Sequence, residues 1–208
     1  MKKPLFIFAV LLVAGIVTAF VTGDKPSNLL EIGAEAPMTD YKMTDISGAS
    51  MSLADLKKEN GLLVVFSCNT CPFVIGWEDR YPPMAEHCNA NNIGMVAVNS
   101  NEAKRQGDDS MEEMKKHAKA KDYNFSYVVD PHSELAKGFG ATKTPQVFLF
   151  NKDMKLVYTG AIDDNMEHPD QVEHNYLQDA VGQMLAGKPC EPNSTRAIGC
   201  SIKKVKAE

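Results

Sequence analysis

Cationic runs are missing from this sequence. Its 208 residues carry a formal net charge of −5 with no long basic block, so the positive surface that nucleic-acid binding needs is absent. A second close Cys/His pair is missing as well. Cys68 and Cys71 could be half of a zinc site, but a structural site takes four ligands and no partner pair stands near. There is no internal repeat and no low-complexity segment, and no cysteine closely follows the N-terminal apolar run, which argues against a lipoprotein anchor. What is present is a 44% hydrophobic composition, enough for one domain with a sizeable core plus tails.

The N-terminus reads as an export signal. Lys2 and Lys3 precede an uncharged run from Pro4 to Gly23, the positive and apolar regions of such a segment. Val21-Thr22-Gly23 offers small residues for cleavage before Asp24, yet the core from Leu5 to Val21 is nearly long enough to span a bilayer. Residues 1–23 therefore fit either a cleaved signal peptide or a retained membrane anchor, and either one takes the chain out of the cytosol, where disulfides are admissible. The five cysteines are an odd number. Cys68 with Cys71 is the obvious pair, Cys190 with Cys200 is a candidate structural disulfide, and Cys88 is left over.

Residues 24–36, with Pro26, Ser27 and Gly33 and no clear period, read as a linker, and 37–186 as the folded domain. A short hairpin is expected over 41–53, with Ser52 capping a brief helix. The apolar run Leu62-Leu63-Val64-Val65-Phe66 predicts a strand buried on both faces, and a helical pattern starts near Pro72. Tyr81-Pro82-Pro83 must kink or split that helix. A second strand over 94–99 makes a right-handed parallel crossover the default. The turn bearing Cys68 and Cys71 then falls at the carboxyl end of a central strand, where open α/β sheets hold their sites. Beyond it the pattern predicts a polar loop over 101–109, a solvated helix over 110–121, a short strand over 127–129 and a short helix over 133–139. A hairpin follows around Asn151-Lys152-Asp153, then a covering helix over 169–186 with Gly187 as its stop. The hairpin brings Asp163 and Asp164 to the same end of the sheet as Pro145. The tail, 187–208, has no period of its own.

The chemistry lies in Phe66-Ser67-Cys68-Asn69-Thr70-Cys71-Pro72. If Cys68 sits at the helix N-terminus, the free backbone N–H groups and the positive end of the dipole favour its thiolate. Cys71, one turn on and less exposed, lies within disulfide reach. On this reading Cys68 attacks a partner's disulfide and Cys71 resolves the mixed disulfide. No organic cofactor is implied, because the electrons reside in the two sulfurs. Asp163 and Asp164 are candidate accessory acids, although a polar turn accounts for them more simply. Cys88 suits a small buried residue. Cys200 is either half of the staple with Cys190 or a third redox cysteine.

The Cys-x-x-Cys after a buried strand, joined to Lys143-Thr144-Pro145-Gln146-Val147-Phe148-Leu149-Phe150, resembles the thioredoxin-like superfamily. Within it the chain is most similar to bacterial redoxin and TlpA-like thiol–disulfide oxidoreductases, relatives of the AhpC/TSA peroxiredoxins. The resemblance covers roughly Ala36 to Ala186. It implies a thioredoxin-like α/β fold: a central mixed β-sheet with flanking helices, an N-terminal hairpin, and a redoxin-type insertion at 110–129. It also implies a cis Thr144–Pro145 bond, and a substrate segment added as a strand along the Thr144 backbone, so that Thr144 and Pro145 form the substrate wall. The implied setting is periplasmic, or anchored to the outer side of the cytoplasmic membrane. The implied partners are protein thiols and disulfides with an upstream electron donor or acceptor. Some family features are replaced. Ser67 stands where an aromatic residue usually precedes the first cysteine. Leu62 stands at the thioredoxin position of a buried acid, and Val74 at a position often held by glutamate, for which Glu78 is a substitute or else a solvated charge. Neither cysteine has the upstream hydroxyl that peroxiredoxins use to orient peroxide. A thiol peroxidase is the alternative enzyme. The alternative without catalysis is a copper-binding metallochaperone, using the cysteines with His132.

Overall fold

A computed structural model describes residues 29–205, so the expected signal or anchor at 1–23 lies outside the described residues. Among the described residues no helix is long and apolar enough to cross a membrane.

The elements follow the sequence pattern closely. Strands β1 (Met43–Asp45) and β2 (Ser50–Met51) form the hairpin, and Ser52 closes a capping box with Asp55 on helix α1 (Leu53–Leu56). Strand β3 (Gly61–Ser67) is buried along its whole length. Helix α2 (Pro72–Trp77) passes through a single tight turn into α3 (Tyr81–Ala90). The split falls where the two prolines predict it, because in the first turn of α3 their missing N–H groups would have had no helical partner anyway. Next come β4 (Ile93–Asn99), α4 (Met111–Ala120), β5 (Ser126–Val129) and α5 (Glu134–Phe139). Two-residue β6 (Lys143–Thr144), β7 (Gln146–Phe150), β8 (Leu156–Gly160), α6 (Tyr176–Leu185) and two-residue β9 (Cys200–Ser201) complete the chain.

The sheet order is β2-β1-β5-β4-β3-β7-β8. β3, β4 and β5 run parallel while β1, β2, β7 and β8 supply the antiparallel pairings, giving the mixed sheet expected. Alternate residues of β3 serve different layers. Leu62, Val64 and Phe66 pack with Phe148, Phe150 and the α5 residues Leu135 and Phe139. Leu63 and Val65 pack with Trp77, Tyr81, Leu177 and Val181 from α2, α3 and α6. The rings of Phe66 and Phe139 meet edge to face at 5.4 Å. Each such side chain contributes about 1.5–3 kcal/mol on burial, which fixes the end of β3 and with it the cysteine turn.

Three segments depart from the sequence pattern. Residues 29–36, expected as linker, are joined to the domain: the Gly33 amide donates to Leu156 (2.8 Å) and the Ala36 amide to Met154 (2.8 Å). The covering helix starts at Tyr176 rather than at 169, because side chains hold the preceding backbone in a loop. Asn165 Oδ1 accepts from the His168 amide (2.9 Å) and Asp164 Oδ1 from the Glu173 amide (3.1 Å). The tail is also docked, through β9 against β6 and an isolated bridge between Thr159 and Ser194.

Candidate active site

Strand β3 ends at Ser67, the chain bends through Asn69 and Thr70, and α2 begins at Pro72 with Cys71 as its N-cap. Proline at the first helical position fixes that start. The helix N-terminus therefore belongs to Cys71, not to Cys68 as expected, and Pro72 was the signal that could have placed it. The bend is pinned from outside by Asp109, a fully buried residue of the loop before α4. Its Oδ1 accepts from the Asn69 amide (2.9 Å) and from Asn99 Nδ2 (2.8 Å), and its Oδ2 from Asn101 Nδ2 (2.9 Å). The Asn69 side chain donates to the Asp108 carbonyl (2.7 Å) and accepts from the Tyr127 hydroxyl (2.9 Å). Arg105 ties the same loop to β4 through the carbonyls of Asp109 (2.7 Å) and Asn99 (2.8 Å).

Opposite the bend, Thr144 and Pro145 close over the sulfurs, and the peptide bond between them is cis. The Cys68 thiol donates to Thr144 Oγ1 (3.4 Å), and a protonated Cys71 donates to the Thr144 carbonyl (3.1 Å). Cys68, Cys71 and Val74 form one small apolar cluster, with Phe73 and Cys200 packed against it.

The two sulfurs differ in charge preference. Cys71 is held well below the ordinary thiol range, first by the hydrogen bond from the Cys68 thiol and then, against the cost of burial, by the Cys200 thiol and the backbone amides of Val74 and Cys200. Cys68 is pushed up, first because its proton is committed to Cys71 and then by burial. A thiolate on Cys71 beside a thiol on Cys68 is the arrangement that disulfide exchange requires. Burial is the surprise: Cys68 is 2% and Cys71 4% exposed, where a reachable sulfur was expected. Part of the cover is β9.

The candidate accessory acids do not serve the sulfurs. Asp163 is buried and its oxygens are taken by the Trp77 indole N–H (2.5 Å), the Asn165 amide (3.0 Å) and Arg80 Nε (3.2 Å). It anchors α2 to the loop after β8. Asp164 is exposed and caps Glu173. Glu78 is buried, not solvated, and pairs with His117 Nε2 at 2.8 Å and with Lys121. The Cys190–Cys200 staple is not formed. Cys190 lies in the α6 layer with its thiol on the Ala180 carbonyl (3.4 Å), while Cys200 lies on the Cys71 cluster. All five cysteines are free. Burial pushes Cys88 up to about 12 and raises Cys190, which keeps both thiols protonated. Among the described residues, the one group of metal-capable side chains with ligand atoms within 4.8 Å of one another is Asp164, Glu173 and His174. It includes neither the cysteines nor His132.

Sequence reasoning missed Asp109, Asn99 and Asn101, which hold the bend, and the position of Cys200.

Comparison with known proteins places this geometry among relatives. The model of the AhpC/TSA family matches residues 32–159. The thiol-disulfide oxidoreductase ResA of Bacillus cereus is 26% identical over 165 residues, covering 76% of this chain and 88% of its own. An uncharacterized conserved protein from Geobacillus kaustophilus superposes with a TM-score of 0.79 at 32% identity, over 87% of this chain and 96% of its own. A hypothetical protein from Sinorhizobium meliloti does so with a TM-score of 0.79 at 31% identity, over 86% and 98%.

Proposed function

Because the chain belongs to the AhpC/TSA family, and because ResA-type thiol–disulfide oxidoreductases are among its relatives, we propose that it is a thiol–disulfide oxidoreductase of the cell envelope. It exchanges disulfides with partner proteins through Cys68 and Cys71. The observation that carries this reading is the packed pair of sulfurs at a strand-to-helix turn, with Cys71 as the N-cap of α2 and Thr144 hydrogen-bonded to both.

The order of attack is taken from the place of Cys71 at the start of α2 together with its charge preference, and it reverses the order read from the sequence, in which Cys68 attacks and Cys71 resolves. The Cys71 thiolate attacks one sulfur of a client disulfide, and the client's other sulfur leaves as a thiolate. Cys68 then gives its proton to that leaving thiolate and attacks Cys71 Sγ, so the Cys68–Cys71 bond forms as the mixed disulfide breaks. The client gains two electrons and the enzyme pair loses two, to be restored by an upstream dithiol. Run backwards, the same steps oxidise a client. The apolar segment at 1–23 supports an envelope location, and residues 37–186 with the docked tail form the working domain.

Trapping tests the reading. Cys68→Ser combined with Cys200→Ser removes both sulfurs packed beside Cys71, so a client should accumulate as a reductant-sensitive adduct on Cys71, while Cys71→Ser should trap far less. No adduct on either variant, together with fast peroxide consumption, would identify a peroxidase instead. Tight stoichiometric copper binding that needs both cysteines would identify a metal carrier.

A further inference from the structure

The tail's position raises a question that the exchange cycle leaves open. A client peptide added as a strand beside Thr144 would pair with β6, and β9 already pairs there. The register places Cys200 opposite Thr144 and Ser201 opposite Lys143, which is how an added peptide strand would sit. The seat is built on both sides of Cys200. Ile202 donates its amide to the Thr142 carbonyl (3.0 Å) and buries its side chain in the core. Lys203 donates to Asn101 Oδ1 (2.8 Å) and accepts from the Ala103 amide (2.8 Å). On the other side the chain at Gly199 passes so close to the Thr144 carbonyl that a Cβ there would collide with backbone.

Cys200 packs against the cluster of Cys68, Cys71 and Val74, and its thiol and amide help the Cys68 thiol to hold Cys71 low. The three cysteines do not form a group with all sulfurs within 4.8 Å of one another. Cys200 is the partly exposed member.

Resting on the exchange reading above, we propose that Cys200 is a third redox cysteine and that the tail acts as an internal client. In the oxidised enzyme the Cys200 thiolate attacks Cys71 Sγ. The Cys71–Cys200 bond forms, the Cys68–Cys71 bond breaks, and Cys68 leaves as a thiolate that takes up the proton Cys200 released. No electrons enter or leave; the disulfide moves outward by one sulfur. A protein client must displace β9 to reach Cys71, and the Cys71–Cys200 disulfide holds β9 in place.

The test uses the full chain. Cys68→Ser leaves Cys71, Cys88, Cys190 and Cys200, four thiols. One equivalent of diamide, which takes two electrons and two protons from a dithiol, should lower the thiol count in denaturant from four to two. Peptide mapping should find Cys71 joined to Cys200 within a monomer. Four remaining thiols, or a link between molecules or to another cysteine, overturns the proposal. Cys200→Ser is the companion. If it still forms the Cys68–Cys71 disulfide and traps clients in the Cys68→Ser background, failure of the Cys71–Cys200 link removes the third cysteine alone. If the Cys68–Cys71 disulfide does not form there either, the exchange reading itself fails.

Discussion

If β9 covers the reactive sulfur, loosening the tail without touching any cysteine should expose Cys71. Ile202 is the residue to change, because it is 8% exposed and sits in the core layer with Phe66, Phe139 and Phe148, next to β9 yet remote in chemistry from the thiols. Ile202→Ala removes three carbon groups, which at about 0.8 kcal/mol each comes to roughly 2.4 kcal/mol of docking free energy. At about 1.4 kcal/mol per tenfold change, the population with the tail lifted should rise roughly 50-fold. When opening and closing are fast relative to reaction, the modification rate follows that population. The assay is alkylation of reduced protein by iodoacetamide, read as modification of the Cys71 peptide over time. Cys88, on the buried face of α3, is the internal control, since only global unfolding should expose it. A large acceleration at Cys71 with Cys88 still protected supports local tail opening. An unchanged Cys71 rate in a variant whose melting temperature has dropped would refute it, because access would then run by another route.

Other outcomes follow from the same geometry. Asp109→Ala leaves the Asn69 amide and the Asn101 side-chain amide without their acceptor in the interior, and takes from the Asn99 side-chain amide one of its two, the Tyr127 hydroxyl remaining. At about 1–3 kcal/mol for each buried donor, and with losses that do not simply add, the cost should be roughly 3–5 kcal/mol in chemical denaturation, with Asp109→Asn recovering part of it. Cys71, held below the ordinary thiol range, should stay ionised near neutral pH and lose its charge only as pH falls through its folded-state value. Its contribution to the stability of the reduced protein is therefore complete above the unfolded thiol value of about 8.5 and lost on acidification. Ultraviolet thiolate absorbance that vanishes in Cys71→Ser and persists in Cys68→Ser checks the assignment. Cys88→Ala should leave client trapping and the thiolate signal unchanged, as a protonated buried sulfur takes no part in exchange; altered trapping would give it a role.

Much of the scaffold is written locally. The seven-residue buried strand, the proline split between α2 and α3, the Ser110 cap of α4 and the hairpin around Asn151 each follow from a short stretch of residues with a clear period or punctuation. What was illegible depends on contacts far apart in the chain. Asp109 meets Asn69 across forty residues, and nothing in a polar loop marks which of its acids turns inward. Strand β9 is two residues long, too short for alternation to show, and it is a strand only because β6 offers an edge. Asp163 looked like a candidate for the sulfurs since the hairpin register carries it to the right end of the sheet. The register says nothing about side-chain direction, and Trp77 and Arg80 claim it.

The most direct test of the account is the reduction potential of the Cys68–Cys71 pair as a function of pH, measured by equilibrating Cys200→Ser with thiol–disulfide buffers. A reversible two-electron couple is expected. Because the reduced pair holds one proton, on Cys68, the potential should fall by about 30 mV per pH unit between about pH 6 and 8. A fall of about 59 mV per unit would mean that both sulfurs are protonated and that Cys71 is not the attacking thiolate. The absence of any reversible couple would contradict the proposed exchange altogether.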